Sequence, residues 1–478
     1  GSIRFIRSQN SICTFILEPG ENKKGNIVTE GNITKALLII ALPIIISNIL
    51  QSILEVVDMY FIGKLGDAAI AGGTMSMSII MVLTTVIFGI VTATAAFISR
   101  AYGSDKPGRI QVILVHSLYL VLGFPAIIAV IGMLWSEDLL RLLGADPDAV
   151  IEGAKFLQPL LVGLFVMVVL MVFVTAFQSS GDSRTPMYVM IAINIINIAL
   201  NPGLIHGMFG MPAFGIAGSA YASLLSRTAG ILLLLGIIYL HPKFRDSPVR
   251  LPTRFSFEPA LIKDIIVVAI PSAIQSGVRS IAFLLMTAII ALYGLEATAA
   301  YGVSVRLDML GLIIVMGFCT AIAVMVGQNL GAQKVERAET AVKYAIVINA
   351  IFMACVAVFY ILNAGALLSF FGLEAISLAD GLEFMHTIPP SYFLIAIAMT
   401  LGFAMNGAGL TKPGMYSAVI GQLIVQVGLS AALALTGHSL QFIWYAVVCG
   451  TGVMCLCEFY FYRKGDWKRK ELDLGGDD

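Results

Sequence analysis

The chain alternates between long apolar runs and short polar connections. A helix of about twenty apolar residues crosses the ~30 Å of hydrocarbon in a bilayer, and runs of that length recur throughout. One span on each run predicts twelve helices, near residues 35–61, 73–99, 112–134, 156–178, 187–206, 216–240, 263–291, 301–326, 341–363, 386–406, 413–435 and 441–462. An even number of spans returns both ends of the chain to the same side. The leading residues 1–32 break the pattern. Their only apolar run, "ICTFIL", is too short to span, and no long apolar region or cleavage site of a signal peptide accompanies it.

Composition agrees with the pattern. The 478 residues are 58% hydrophobic and 12% charged, with a mean hydropathy of +0.92. Soluble domains carry about 25% charged residues, so a water-soluble globular protein is excluded. The net charge of zero matters less than where the charges fall. Arg100, Lys106, Arg109, Arg184, Lys243, Arg245, Arg250, Arg254, Lys334, Arg337, Lys412 and the tail "RKGDWKRK" all lie in alternate connections. The opposite connections hold Lys64, Arg141 and Lys155 beside Glu137, Asp138, Asp146 and Asp148. Basic loops stay in the cytoplasm. The expectation is a multi-pass protein of the cell (plasma) membrane with both termini cytoplasmic.

The halves of the chain repeat each other. Pro43 and Pro271 are 228 residues apart, and the same offset carries Gly66 onto Gly294, Gly103 onto Gly331, Lys106 onto Lys334 and Arg109 onto Arg337. It also carries Phe156 onto Phe384, Gly181 onto Gly409 and Met187-Tyr188 onto Met415-Tyr416. The expected fold is all-α: a polytopic membrane protein of about twelve transmembrane helices in two pseudo-symmetric six-helix bundles. Its parts are a cytoplasmic segment 1–32, a lobe 33–240, a basic linker 241–262, a lobe 263–463 and a tail 464–478. Parallel repeats of this kind form transporters with a central cavity between the halves.

Several stretches carry a resemblance. A proline, then Gln51, then an acid in "VVDMYFIGKLGDAAIAG" opens the first half. "RAYGSDKPGR" follows the second span and returns as "QNLGAQKVER". "AFQSSGDSRTPMY", "NIINIALNP" and "FGIAGSAYASLLSR" come in order after it. From about residue 33 to 463 the chain resembles the MATE family of multidrug and toxin extrusion transporters. The resemblance implies export of lipophilic, mostly cationic compounds by alternating access, in exchange for protons or sodium ions. It implies a coupling acid at Asp58, joined by a polar cluster at the positions of Asn197, Asn201 and Ser223. Asn201 stands where the archaeal and DinF-like branch usually has an acid. Arg279 stands where the NorM-like branch has a carboxylate, and the tenth predicted span has no acid, so a sodium site in the second lobe has no support.

The residues themselves allow two readings of the charges. An acid in a membrane helix costs ~2.5–3.5 kcal/mol at the bilayer centre and so faces the bundle interior or water. Glu55 and Asp58, three apart, share a helix side with Gln51 and form a protonatable pair; alternatively they lie near the outer end and are solvated. Asn194, Asn197 and Asn201 step along one stripe, as ion ligands or as interhelical glue; Asn194 reads as the latter. Arg279 is expected to pair with Asp308. Arg306 and Asp308, two apart, do not face each other and either find partners elsewhere or snorkel outward. Arg227 reads as structural. Pro43 bends its helix or sits in its first turn.

No nucleophile with a base, metal-ligand set or phosphate-binding motif is visible, so no catalytic residue, metal site or cofactor is expected and the chain is read as not an enzyme. The transported H+ or Na+ is the coupling ion. Expected partners are a small lipophilic or cationic substrate and membrane lipid, with no nucleic acid and a monomeric state. The competing readings are a lipid-linked saccharide flippase of the wider superfamily and an intramembrane enzyme.

Overall fold

The structure, a computed structural model, describes residues 27–142, 146–244, 247–252, 257–373 and 375–475. Most of the leading segment, with "ICTFIL" and Cys13, lies outside them, as do Arg245 and Arg254 of the linker. The first half forms α1 (Ile33–Gly63), α2 (Asp67–Gly103), α3 (Pro107–Leu134), α4 (Pro147–Ser179), α5 (Arg184–His206) and α6 (Ile216–Leu240). The second forms α7 (Pro259–Ala291), α8 (Leu295–Gly331), α9 (Val335–Phe370), α10 (Ala375–Thr387, then Tyr392–Gly407), α11 (Lys412–Leu435) and α12 (Leu440–Lys464). Eleven are long and apolar enough to cross a membrane, and α3 contributes a shorter apolar stretch, Pro107–Gly123.

Each predicted span falls inside one of these helices. The tenth needs correcting. Pro389–Ser391 forms a 3-10 turn within α10 rather than near its start, so the helix begins at Ala375 and includes Asp380 and Glu383. The tenth helix therefore does carry acids. Pro43 is also settled, because α1 starts ten residues before it at a cap where Asn32 Oδ1 accepts from Lys35 N (3.0 Å).

The first helix of each half is shared between lobes. Ala36, Leu37, Ile40, Ala41, Ile44 and Ile45 of α1 are buried among α8, α9 and α10 residues of the second half, whereas Leu54 packs in the first-half core. In α7, Leu261, Ile265, Val268 and Ala269 pack in the first-half core and Ala282, Met286, Ile289 and Ile290 in the second-half core. Pro43 and Pro271 stand near these two handovers. A proline inside a helix removes one backbone hydrogen bond and permits a bend there.

The lobes meet most closely where α2 crosses α8. A Cβ on Gly103 would lie 2.0 Å from Gln328 O, and one on Gly331 would lie 2.3 Å from Arg100 O and 3.1 Å from Gly103 Cα. Only glycine lets two backbones approach so far. Ser104 Oγ donates to Gly331 O (3.2 Å), Gln328 Nε2 to Ser179 O (2.8 Å) and Arg100 Nη2 to Ala408 O (3.3 Å) at the same end.

Two arginines related by the repeat clasp that end. Arg109 of α3 makes a two-pronged hydrogen bond to Glu258, just before α7 (3.0 and 2.8 Å), and Glu258 N donates to His116 Nε2 (2.8 Å). Arg337 of α9 donates to the carbonyls of Val28 (2.9 Å), Ile27 and Gly31, just before α1. Arg109 holds the Glu258 carboxyl below the usual carboxylate range. With a depressed folded value, the pair contributes stability above the ordinary pKa of 4.5 that is lost as pH falls through the folded value.

The crossing predicts opposite signs for one substitution at two glycines. Gly331→Ala should lower the melting temperature in detergent, because overpacking costs ~1–3 kcal/mol. Gly236→Ala in α6, where an added Cβ meets nothing within 4 Å, should leave it unchanged or raise it, since alanine favours a helix by ~0.5–1 kcal/mol. Equal melting temperatures for the two variants would contradict the crossing.

Candidate functional site

Asp58 lies five residues before the end of α1 and is 4% exposed. Its side chain points into the first lobe, towards α5 and α6. Asn201 Nδ2 donates to Asp58 Oδ1 (2.9 Å), as does Asn197 Nδ2 (3.2 Å), while Ser223 Oγ donates to Oδ2 (2.6 Å). Asn201 Nδ2 also reaches Asn197 Oδ1 (2.9 Å), and Asn197 Nδ2 reaches Ser223 Oγ (3.3 Å). Three helices thus converge on one carboxylate. Their donors replace the water that a buried carboxylate has lost; without them burial would be strongly unfavourable.

The spacing explains which amides arrive. Asn197 and Asn201, four apart, stack on one face of α5, and Pro202 sits within that helix immediately after them. Asn201 Oδ1 is buried with no hydrogen-bond partner among the described residues. Asn194, one turn earlier, stays outside the cluster and donates to Met190 O of its own helix (2.9 Å).

The paired-acid reading of Glu55 does not hold. Glu55 is exposed and receives a hydrogen bond from Gln51 Nε2 (3.1 Å), not from Asp58's partners. Three residues along a helix leave about 60° between side chains, enough to turn Asp58 inward and Glu55 to the rim. Arg227, one turn after Ser223 on α6, interacts electrostatically with both Asp58 and Glu55. Sequence alone gives Arg227 no partner, and the two acids come near it when α1 and α6 pack together. At the matching positions of the second half Met286 is fully buried and Phe283 is apolar, so the fold itself requires no acid there.

The family model described as MatE matches residues 43–202 and again 271–431. The chain belongs to the MatE family. The two matched segments begin 228 residues apart, at Pro43 and Pro271, the offset of the internal repeat. Similar relatives are the probable multidrug resistance protein YoeA of Bacillus subtilis (strain 168), 26% identical over 93% of this chain and 96% of that protein, and the probable multidrug resistance protein NorM of Thermotoga maritima, 25% identical over 92% and 94%. A solved structure described as the outward-facing conformation of a multidrug resistance MATE family transporter superposes with a TM-score of 0.86 at 25% identity, covering 95% of this chain and all of that one.

In this MatE protein the second lobe holds its own polar contacts, and they differ from the expected ones. Arg279 does not pair with Asp308. The acid whose charge acts on it is Glu458 of α12, with no hydrogen bond or ion pair between them, and its guanidinium donates to Ser276 Oγ (3.3 Å). Asp308 instead accepts from the Tyr392 hydroxyl of α10, beside Tyr360, whose own hydroxyl donates to Leu307 O (2.6 Å). Arg279 and Asp308 face different neighbours because α7 packs against α11, whereas Asp308 turns to Tyr392 of α10 and Tyr360 of α9. Arg306 is exposed.

Glu458 was missed from sequence. It is 2% exposed, one oxygen accepts from Ser417 Oγ and the other has no hydrogen-bond partner among the described residues. Gly402 of α10 lies against it, where a Cβ would come within 3.1 Å. An acid four residues inside the predicted end of the last span was the available signal. His116 was missed because its partner Glu258 lies 142 residues away in the chain.

The Arg279–Glu458 assignment is testable by a double-mutant cycle. Arg279→Met and Glu458→Gln should each destabilise the protein, and together less than additively, with a coupling of about 1 kcal/mol or more in detergent unfolding. Arg279→Met combined with Asp308→Asn should be additive. The reverse pattern would restore the sequence-based pairing.

Proposed function

We propose that this MatE transporter is a multidrug exporter that moves lipophilic, mostly cationic compounds out of the cell in exchange for a proton carried by Asp58. The observation that carries this reading is the buried Asp58 carboxylate, held by Asn197, Asn201 and Ser223 in one lobe only. The names of the relatives support multidrug export. The lack of a second acid favours a proton over sodium: Asn201 stands beside Asp58 where a carboxylate would add oxygen ligands for a hard sodium ion.

Protonating Asp58 neutralises it and removes the reason for all three donors to converge. The hydrogen bonds that tie α1 to α5 and α6 then weaken together. Because α1 also packs in the other lobe before Pro43, a shift of its second half changes how the lobes meet. Substrate and proton compete through this arrangement: a cation arriving near Asp58, Glu55 and Arg227 is favoured when Asp58 is charged and disfavoured when it is neutral. In this reading the chain ends, and with them the end where α2 crosses α8, lie on the cytoplasmic side.

The test is efflux of a fluorescent lipophilic cation from proteoliposomes under an imposed pH gradient and, separately, a sodium gradient. The expected result is pH-driven efflux in the native protein and a fall of about tenfold or more in Asp58→Asn. Sodium-driven efflux without a pH response would replace the proton by sodium. Full pH-driven activity in Asp58→Asn would remove Asp58 from the coupling, and no dye movement under either gradient would remove the multidrug reading.

A further inference from the structure

The segment after α12 crosses from the second lobe to the first. Trp467 is fully buried among α1, α8 and α9 residues, and its Nε1 donates to Tyr462 O (3.1 Å), which fixes the direction in which the chain leaves α12. Lys468 pairs with Glu339 of α9, so this stretch is anchored to its own lobe. Two residues later the tail changes sides. Lys470 O accepts from Arg100 Nη2 of α2 (2.8 Å). Leu472 and Leu474 pack against the core of the first lobe, and Gly475 lies where a Cβ would come within 2.0 Å of Arg109 Nη2 and 2.8 Å of Glu258 Oε2.

The tail therefore rests on the same elements that join the lobes. Arg100 also donates to Ala408 O, and Leu472 covers Gly409 beside it, where an added Cβ would meet Leu472 Cδ2 at 2.6 Å. Arg109 is the arginine that clasps Glu258 at the start of α7. The repeat-related clasp at Arg337 holds the Val28 carbonyl, with Lys334 Nζ 3.5 Å from Glu30 Oε1, so the two clasps form a roughly symmetric pair. The tail is an additional connection on the Arg109 side.

We propose that residues 470–475 act as a strap: while Leu472 and Leu474 are seated, the tail holds the two lobes together at the end that carries α2's crossing with α8, and its release is required for that end to open. Leu474 packed on the far lobe, and Leu472 wedged between that lobe and Gly409 of its own, are covered only in the closed arrangement, because separating the lobes at this end either exposes them or pulls the tail from its anchor at Trp467. A contact that exists in one of two states shifts the equilibrium by its full differential free energy. The strap works through packing and backbone carbonyls, so it acts independently of the ion or substrate that the transporter uses.

Spin-label distance measurements on the full-length protein test it. On a background with the native cysteines replaced, one label pair at Gly108→Cys and Lys412→Cys, both exposed, reports the strapped end. A second pair at Gly63→Cys and Leu295→Cys, also exposed, reports the opposite end. Leu472→Asp with Leu474→Asp should raise the long-distance population of the first pair by about threefold or more and shorten the second pair. Gly475→Val, which leaves the leucines in place and crowds Arg109 and Glu258, should shift both pairs in the same directions. Arg109→Gln, which removes the shared anchor, should do so as well. Unchanged distances at both ends in the leucine variant and in Gly475→Val, with native melting behaviour, would overturn the strap.

Discussion

Where α2 crosses α8, two backbones come together with no side chain between them, and the arrangement of the lobes depends on that approach. Gly103 and Gly331 supply it, one from each copy of the repeat. Because the contact is backbone to backbone, it fixes the end of the molecule at which the lobes join, and the arginine clasps and the tail are built around it. The first halves of α1 and α7 can then lie on the opposite lobe, since the crossing brings those surfaces within reach.

That sharing connects the polar site to the joint. Asp58 is held by α5 and α6 near one end of α1, while the other end of the same helix is packed into the second lobe. A change in the charge of one buried carboxylate alters three hydrogen bonds at once, and α1 is the body that carries the effect across the interface. The second lobe has a different answer to the same problem of burying charge. Glu458 accepts from Ser417 and Asp308 from Tyr392, so these two buried acids are held by hydroxyls of their own lobe.

Much of this was legible along the chain. The number and place of the helices follow from apolar run length, because bilayer thickness sets it; the 228-residue repeat follows from matched prolines and glycines. Asn197, Asn201, Ser223 and Asp58 could be grouped through the family resemblance and the four-residue step on α5. The failures share one cause. Glu55 was paired with Asp58 from spacing alone, Arg279 with Asp308 from depth alone, and Glu458 was passed over. Each depends on which side of a helix meets which neighbour, and in a chain that is apolar nearly all round its helices, periodicity gives no direction.

The sequence by itself determined that the protein is a twice-repeated bundle of membrane helices and that one lobe alone carries an acid at the Asp58 position. Those are properties of composition and order, which burial in lipid reads directly. Only the tertiary structure decided that Asp58 turns inward while Glu55 turns out, that Asp308 meets Tyr392 and Glu458 meets Ser417, and that the tail returns to the first lobe. The physical reason is that these contacts join residues far apart in the chain, and their partners are chosen by how helices rotate and cross when they pack.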